Sequence, residues 1–324
     1  MKAALYYRFG PPEVVELRDV EKPAVPDDGV LVRVRASSVN PADWYPMMGR
    51  PYIARATFGI RKPKESRLGI DYAGTVESVG KSVTRFRPGD EVFGGRTGAL
   101  AEFLCLPESG AIAVKPVNVT FEAAAATPVA GVTALQALRD RAQIKPGQHV
   151  LINGASGGVG TFAVQVAKVF GADVTAVCST GNVEMVRSLG ADAVIDYTRD
   201  DFTRSGQRYD AMIDIAGSRP WSACRRVLEP NAAYVIVGGP KKNRMLGPFS
   251  RTIKVRVGSM RASQKVVSFF LAQLNQPDLE VLSEMLGTGK IKPVVEKCYP
   301  LSDVREAFRH LGDGHARGKL VITM

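Results

Sequence analysis

LINGASGGVG, residues 151–160, is the stretch on which the reading of this chain turns. It closes a short apolar run that begins at His149, and an amphipathic stretch, VGTFAVQVAKVFG (Val159–Gly171), opens at its far end. Between them stands Ala155-Ser156-Gly157-Gly158-Val159-Gly160, a GxGxxG spacing with alanine in place of the first glycine. A tight turn without side chains lets backbone N–H groups approach a pyrophosphate at the positive end of a helix dipole. Gly160 lets the helix pack closely on the strand it follows. A glycine cluster alone reads as a flexible turn. One that ends a strand, opens a helix and begins a series of such units reads as a dinucleotide site.

The series is present downstream. DVTAVCS (173–179), AVIDY (193–197), YDAMIDIAG (209–217), AAYVIVGG (232–239) and TIKVRVGSM (252–260) read as strands. Between the first two lies the helix NVEMVRSLG (182–190), with Asn182 as its N-cap and Gly190 as its stop. Alternation of this kind predicts an α/β fold, a doubly wound parallel sheet of the Rossmann type. Beyond Arg261 two amphipathic helices, SQKVVSFFLAQL (263–274) and DLEVLSEML (278–286), lead to a last strand, GKLVITM. This tail holds no further strand–helix–strand unit and is expected to return to the first domain.

Upstream the character is different. Up to residue 120, short alternating runs are punctuated by PDDG, RPGD and PESG, which is turn chemistry. In VLVRVRA, Val30, Val32 and Val34 face one way, and Leu31, Arg33 and Arg35 the other. The Ala-rich stretch from Phe121 is helical and must break at Pro128. The expected layout is a β-rich, barrel-like domain over 1–122, completed by 264–324, and a dinucleotide-binding domain over 123–263.

The end of the second strand bears on the choice of cofactor. NAD-specific sites keep an acid there for the ribose 2′-hydroxyl. Here Ser179 occupies that point, followed by Thr180 and Asn182, with Tyr197 ending the third strand. Nothing there repels a 2′-phosphate, so NADPH is expected over NADH. Gly181 stands where a cation would be more persuasive, with Arg187 and Arg199 near in sequence. Gly217 and Gly238 end later strands on the same side and are further expected cofactor contacts.

Composition narrows the alternatives. The net charge of +11 is spread along the chain without an aromatic-interleaved basic run, which argues for an anionic small ligand and against nucleic acid. No apolar run approaches the ~20 residues needed to span a bilayer, and the opening MKAALYYRFG is not a secretory signal, so no membrane role and a cytoplasmic setting are expected. Cys105, Cys178, Cys224 and Cys298 are scattered singly, and no CxxC pair supports a zinc or redox site.

The ordered segments MKAALYYRFGPPEVVEL, VRASSVNPADW, LGIDYAGTVESVG, RPGDEVFG, PVAGVTALQAL, GASGGVG, LGADAVIDY and GKLVIT resemble the quinone oxidoreductase-like members of the medium-chain dehydrogenase/reductase superfamily over nearly the whole chain. The resemblance implies a GroES-like β-barrel domain joined to a Rossmann domain. Zinc-dependent members carry a cysteine where this chain has Asn40 and a His–Glu pair where it has Ile70-Asp71. Isoleucine cannot ligate zinc and Asn is a poor ligand, so no metal is expected. Without a Lewis acid, hydride transfer from NADPH suits a small electron acceptor that is already conjugated, a quinone or an α,β-unsaturated carbonyl. Asn40 and Tyr45 are the expected catalytic hydrogen-bond donors, with the Asn40 amide directed into the cleft and Asp43 orienting its neighbours. Thr133 resembles a threonine beside the nicotinamide ribose, and Gly318-Lys319 a tail contact to the cofactor. The segment from Pro46 to Leu68 is expected to line the acceptor pocket as a lid. The resemblance also implies a homodimer joined through sheet edges, with TIKVRVGSM as the edge strand. Two rival readings stand beside this one: an enoyl-thioester reductase of the same superfamily, and a non-catalytic NADPH-binding sensor or scaffold.

Overall fold

Alternating apolar and charged residues over Gly29–Val39 make a strand with Arg33 and Arg35 exposed and Val30, Val32 and Val34 buried. Leu31 departs from the simple alternation and is buried. The register against the next strand shifts between Leu31 and Val32, and a third strand covers Leu31 at Cys105. The computed structural model describes residues 1–239, 249–260, 262–267 and 271–324. Its contacts divide them into two units, Met1–Val132 with Gln273–Met324, and Thr133–Ala272. The first junction falls within α4 (Pro128–Gln136).

The first unit opens with a hairpin of β1 (Lys2–Leu5) and β2 (Glu16–Asp19). Then come β3 (Gly29–Val39), α1 (Pro41–Met48), α2 (Arg55–Phe58), β4 (Asp71–Val79), β5 (Glu91–Gly95), β6 (Phe103–Pro107), β7 (Ile112–Val114) and α3 (Phe121–Ala125). Pro128 separates α3 from α4, as its missing N–H requires.

The second unit holds β8 (His149–Asn153), α5 (Gly158–Val169), β9 (Asp173–Cys178), α6 (Val183–Ser188), β10 (Ala193–Asp196), β11 (Tyr209–Asp214), α7 (Trp221–Cys224), β12 (Leu228–Ile236), α8 (Phe249–Gly258) and β13 (Lys265–Val267). Its sheet runs β10-β9-β8-β11-β12-β13 with every pairing parallel. This is the doubly wound Rossmann order, whose direction reverses between β8 and β11.

Two expectations need correction here. Thr252–Met260 lies largely in helix α8 and is not a strand. Arg251 and Val255 occupy its inner face at i and i+4, while Ile253 and Val257 are exposed. The apparent period of two came from Ile253, Val255 and Val257 alternating with cations. The sixth strand instead comes from Lys265–Val267, inside the stretch expected to be a helix from 263 to 274, where β-branched Val266 and Val267 pair along β12. Residues 268–270 of that stretch lie outside the described residues. Asn182 stands at the N-cap of α6, but its side chain makes no capping bond and turns back to Ser179.

The tail supplies α9 (Gln276–Gly287), β14 (Val295–Pro300), α10 (Val304–Asp313) and β15 (Lys319–Thr323). These belong to the first unit, whose larger sheet runs β14-β15-β3-β4-β5-β7, with β6 also on β3. The register Leu320↔Val39 to Thr323↔Ala36 fixes the chain end onto β3. One core of this unit joins Val39, Met47, Leu68 and Leu100 to Val304, Phe308 and Leu320, so burial of apolar tail residues drives the return. Phe308→Ala is expected to cost about 3–5 kcal/mol, read as a lowered urea midpoint, whereas Val117→Ala, at a side chain 98% exposed, leaves the midpoint unchanged.

Candidate active site

In the second unit, Asn153 ends β8 and Gly154 turns the chain at φ +94°. The tight turn therefore falls one residue before the point that the motif spacing suggests. That is why alanine is accepted at 155, where it is fully buried. A Cβ on Gly160 would lie 2.1 Å from the Gly154 carbonyl oxygen and 2.7 Å from Ala155 Cα, so α5 can cross the strand end only with glycine there. Gly157 differs: a Cβ would meet nothing closer than Gly154 O at 3.9 Å, and its outer side is open. Gly157 caps α5 in extended conformation, and the first-turn N–H groups of Gly158, Val159 and Gly160 have no intrahelical acceptor. Ser156 sits half-buried at the turn. An open glycine face before free helix-end amides suits a pyrophosphate.

A buried carboxylate holds this turn to the neighbouring strand ends. Asp214, at the end of β11, accepts from Asn153 Nδ2 at 2.7 Å and from the Gly217 N–H at 2.9 Å on one oxygen. Its other oxygen accepts from Tyr234 Oη at 2.5 Å and pairs with Arg251 of α8. Gly217 takes φ +64°, and a Cβ on Gly238 would lie 2.4 Å from the Ile215 carbonyl. Gly154, Gly217 and Gly238 thus gather where the strand order reverses.

Ser179, Thr180, Asn182 and Tyr197 are also brought together. Asn182 Nδ2 donates to Ser179 Oγ at 2.9 Å, and the Tyr197 N–H donates to Cys178 O at 3.0 Å. Asn182 Oδ1 is buried without a partner. Thr180 Oγ1 donates to Asp196 at 2.6 Å, and Arg199 reaches the same carboxylate at 3.6 Å. Arg187 instead pairs with Glu184 on α6. Thr133 lies inside α4, buried, rather than at a helix start.

In the first unit the residue that organises the site is Asp71, the first residue of β4 and fully buried. One carboxylate oxygen accepts from the Val129 N–H at the start of α4 at 2.9 Å. The other accepts from Ser38 Oγ and Asn40 Nδ2, each at 2.8 Å, and from Lys319 Nζ at 3.2 Å. Lys319 Nζ also donates to Asn40 Oδ1. Two of the expected site residues thus meet in one network. The Asn40 amide is 2% exposed and engaged on both ends rather than directed into a cleft, and Lys319, 4% exposed, is held by Asn40 and Asp71. Buried polar groups must find partners, and these two find each other. Tyr45 is half-buried, edge-on to Trp44 with ring centroids 5.4 Å apart.

Beside this network lies a cavity of about 290 Å³, lined by Tyr6, Asp43, Phe58, Glu65, Arg67 and Ile70 among others. Asp43 lies in the first turn of α1 and accepts from the Asn40 N–H at 2.9 Å. Burial, reinforced by the nearby Asp71 charge and opposed by the Asn40 N–H and Lys319, pushes its carboxyl up to about 7. Burial, with Glu65 and Asp43 adding, pushes the Tyr6 phenol up to about 12. The Arg67 guanidinium holds the Glu65 carboxyl below its usual range. Of the apolar residues in the Pro46–Leu68 segment, Phe58 lines the cavity, Met47 is core, and Ile53 and Ile60 are exposed. Tyr45 is not among the cavity residues. Sequence reasoning missed Tyr6 and Thr97, which only the fold brings to the cavity.

These positions do not fit zinc. Ile70 offers no ligand, Asn40 is taken by an ammonium and a carboxylate, and among the described residues no three His, Cys, Asp or Glu side chains are grouped to hold a metal.

Residues 26–116 match the alcohol dehydrogenase GroES-like domain and residues 189–322 match the zinc-binding dehydrogenase domain. A chloroplast envelope quinone oxidoreductase homolog of Arabidopsis thaliana is 36% identical over 323 residues, covering 94% of this chain and 92% of the relative. The mitochondrial NAD(P)H oxidoreductase RTN4IP1 of Homo sapiens is 37% identical over 327 residues, covering 91% and 81%. The solved quinone oxidoreductase of Coxiella burnetii superposes with a TM-score of 0.86 at 29% identity, covering 100% of this chain and 99% of that one. The chain belongs to the medium-chain dehydrogenase/reductase superfamily of nicotinamide-dependent oxidoreductases, in its quinone oxidoreductase-like branch. Lys319→Met would leave the Asp71 carboxylate buried without its cation. The expected loss is about 3–5 kcal/mol in urea unfolding at neutral pH, and Asp71→Asn added to it should recover part of that loss.

Proposed function

We propose that this protein transfers a hydride from NADPH, without zinc, to a quinone or an α,β-unsaturated carbonyl held in the cavity of the first unit. The observation that carries the reading is the Asn40–Asp71–Lys319 network: Asn40 and Ile70-Asp71 stand where zinc-dependent members carry a cysteine and a His–Glu pair, and Asn40 is bonded to both members of an internal Asp71–Lys319 ion pair. An unactivated ketone or alcohol needs a Lewis acid, whereas a conjugated acceptor delocalises the developing charge itself. NADPH, when bound, supplies the hydride. A cavity of about 290 Å³ is at the small end of ligand sites and suits a compact acceptor.

Cofactor binding is assigned to Ala155, Ser156, Gly157, Gly158, Val159 and Gly160 for the pyrophosphate, and to Ser179, Thr180, Asn182 and Tyr197 for the adenosine ribose and its phosphate. The buried, unpartnered Asn182 Oδ1 is an acceptor that a ribose hydroxyl would satisfy. Arg199, 73% exposed and reaching the carboxylate that Thr180 also holds, is assigned as the missing cation for the 2′-phosphate. Gly217 and Gly238, at the switch point, and Thr133 are assigned to the nicotinamide side. Lys319 is assigned to the Asp71 network.

The basic Arg55–Arg67 stretch, which kept a thioester carrier in view, is partly neutralised. Arg55 lies over the Phe9 and Tyr52 rings and Arg67 pairs with Glu65, which favours a small neutral acceptor. No helix among the described residues is long and apolar enough to cross a membrane. A cytosolic setting remains the reading, and so does a homodimer, with the pairing edge moved to Lys265–Val267 at the end of the sheet.

The test is steady-state oxidation of NADPH and NADH with 1,4-benzoquinone, a small cyclic enone and a crotonyl thioester. Turnover with the quinone or enone and a lower KM for NADPH is expected. Arg199→Ala should raise the KM for NADPH about tenfold, the worth of one charge-assisted hydrogen bond, and leave that for NADH unchanged. Turnover with the thioester alone selects the carrier-dependent reductase, and tight NADPH binding without any turnover selects the sensor.

A further inference from the structure

Reduction of a conjugated acceptor needs a hydride and one proton, and the proton must come from the protein or from water. We infer that Asp43 is the catalytic acid that delivers this proton; the inference rests on the proposed acceptor reading. Hydride addition at the β-carbon of an enone leaves an enolate. The Asp43 O–H bond then breaks, its proton forms the new C–H bond at the α-carbon, and the carboxylate regains a proton from water. In a quinone the same proton goes to a carbonyl oxygen, giving the hydroquinone. The sum is acceptor, NADPH and one proton in, reduced acceptor and NADP⁺ out.

The geometry singles out Asp43 among the cavity groups. It is 5% exposed yet lines the cavity, and no ion pair to it exists among the described residues. Its hydrogen bonds with Asn40, through backbone N–H and side chain, come from neutral groups. The nearby cation, Lys319 of β15, is held by Asn40 and Asp71 instead. The other cavity acids are unsuited. Glu65 is ion-paired with Arg67 and stays ionised at neutral pH, and Tyr6, raised to about 12, is too weak an acid to match neutral operation. The charged and titratable groups around Asp43 are Tyr6 after β1, Lys64, Glu65 and Arg67 before β4, Asp71 on β4 and Lys319 on β15. Burial first, and then the Asp71 charge, which disfavours a second charge beside it, keep the proton on Asp43 up to near neutrality. Asn40 acts as a positioning residue. Its backbone N–H fixes the Asp43 carboxyl while its side chain keeps Lys319 on Asp71.

The experiment compares wild type and Asp43→Asn with the enone across pH 5 to 9, with NADPH binding followed by its fluorescence. Wild-type kcat/KM is expected to fall as pH rises through about 7. Asp43→Asn is expected to lose about 10²–10⁴ in kcat, to lose that pH dependence, and to bind NADPH as wild type does. A second readout is independent of turnover. A carboxyl raised from 3.8 to about 7 by folding contributes stability that is full below the unfolded value and lost as pH rises through the folded one. Wild type should therefore lose urea stability relative to Asp43→Asn between about pH 4 and pH 7. Asp43→Asn turning over at the wild-type rate with the wild-type pH profile overturns this inference and leaves the reductase reading standing. No turnover by wild type with any acceptor overturns the reductase reading itself.

Discussion

A carboxylate sealed inside a protein must be compensated, and the fully buried Asp71 is the point around which the first unit is arranged. Its oxygens gather Ser38 from the end of β3, Asn40 from the start of α1, Val129 from the start of α4 and Lys319 from the first residue of β15. Each of these is a place where the chain changes direction. The carboxylate thereby fixes where α1 begins, and α1 carries Asp43 to the cavity. It also anchors the tail, since Lys319 can reach Asp71 only if β15 pairs with β3 in the observed register. The same charge governs the chemistry next door by making a second ionised carboxyl costly. The ammonium of Lys319 is the cation that compensates it, carried by the chain itself.

The second unit repeats the device at the opposite kind of site. Asp214, equally buried, ties Asn153 before the Gly154 turn to Gly217 after β11, to Tyr234 on β12 and to Arg251 on α8. A flexible glycine turn would bind a pyrophosphate weakly, because ordering it costs conformational entropy. Fixing both flanking strand ends with one ion-paired carboxylate prepays that ordering within the fold. It also fits α8, where Arg251 and Val255 face inward while Ile253 and Val257 are exposed, whereas a strand would put all four on one face.

Much of this was legible in the sequence, for identifiable reasons. The turn at 154–160 depends on local backbone geometry, and its glycines carry that requirement wherever the chain goes. The alternation in Val30–Arg35 and the break at Pro128 are likewise local. What was not legible depends on side chains far apart in sequence. Asn40 looked like a donor facing a ligand because nothing nearby in sequence could occupy its amide; its partners are Asp71 and Lys319, the latter 279 residues away. Tyr45 drew attention as a phenol, yet the cavity is reached by Tyr6 and by Asp43, whose acidity is set first by its burial and then by the Asp71 charge across the fold. Ile253, Val255 and Val257 mimic a strand because three β-branched residues alternate with cations, yet in the fold only Val255 turns inward with Arg251, and Ile253 and Val257 are exposed. The first glycine of the motif was sought at 155, although the Asn153-Gly154 pair is itself a turn signal.

The account stands on the replacement of the metal by an internal ion pair, and the most direct measurement is turnover after metal removal. Protein treated with a strong chelator, desalted and assayed for metal content is given NADPH with the acceptor that supports the fastest reaction. The account predicts a metal-free protein that turns over at the untreated rate and gains nothing from added zinc. Loss of turnover on chelation, restored by stoichiometric zinc and by no other addition, would contradict it and would mean that Asn40, Asp71 and Lys319 rearrange around a metal.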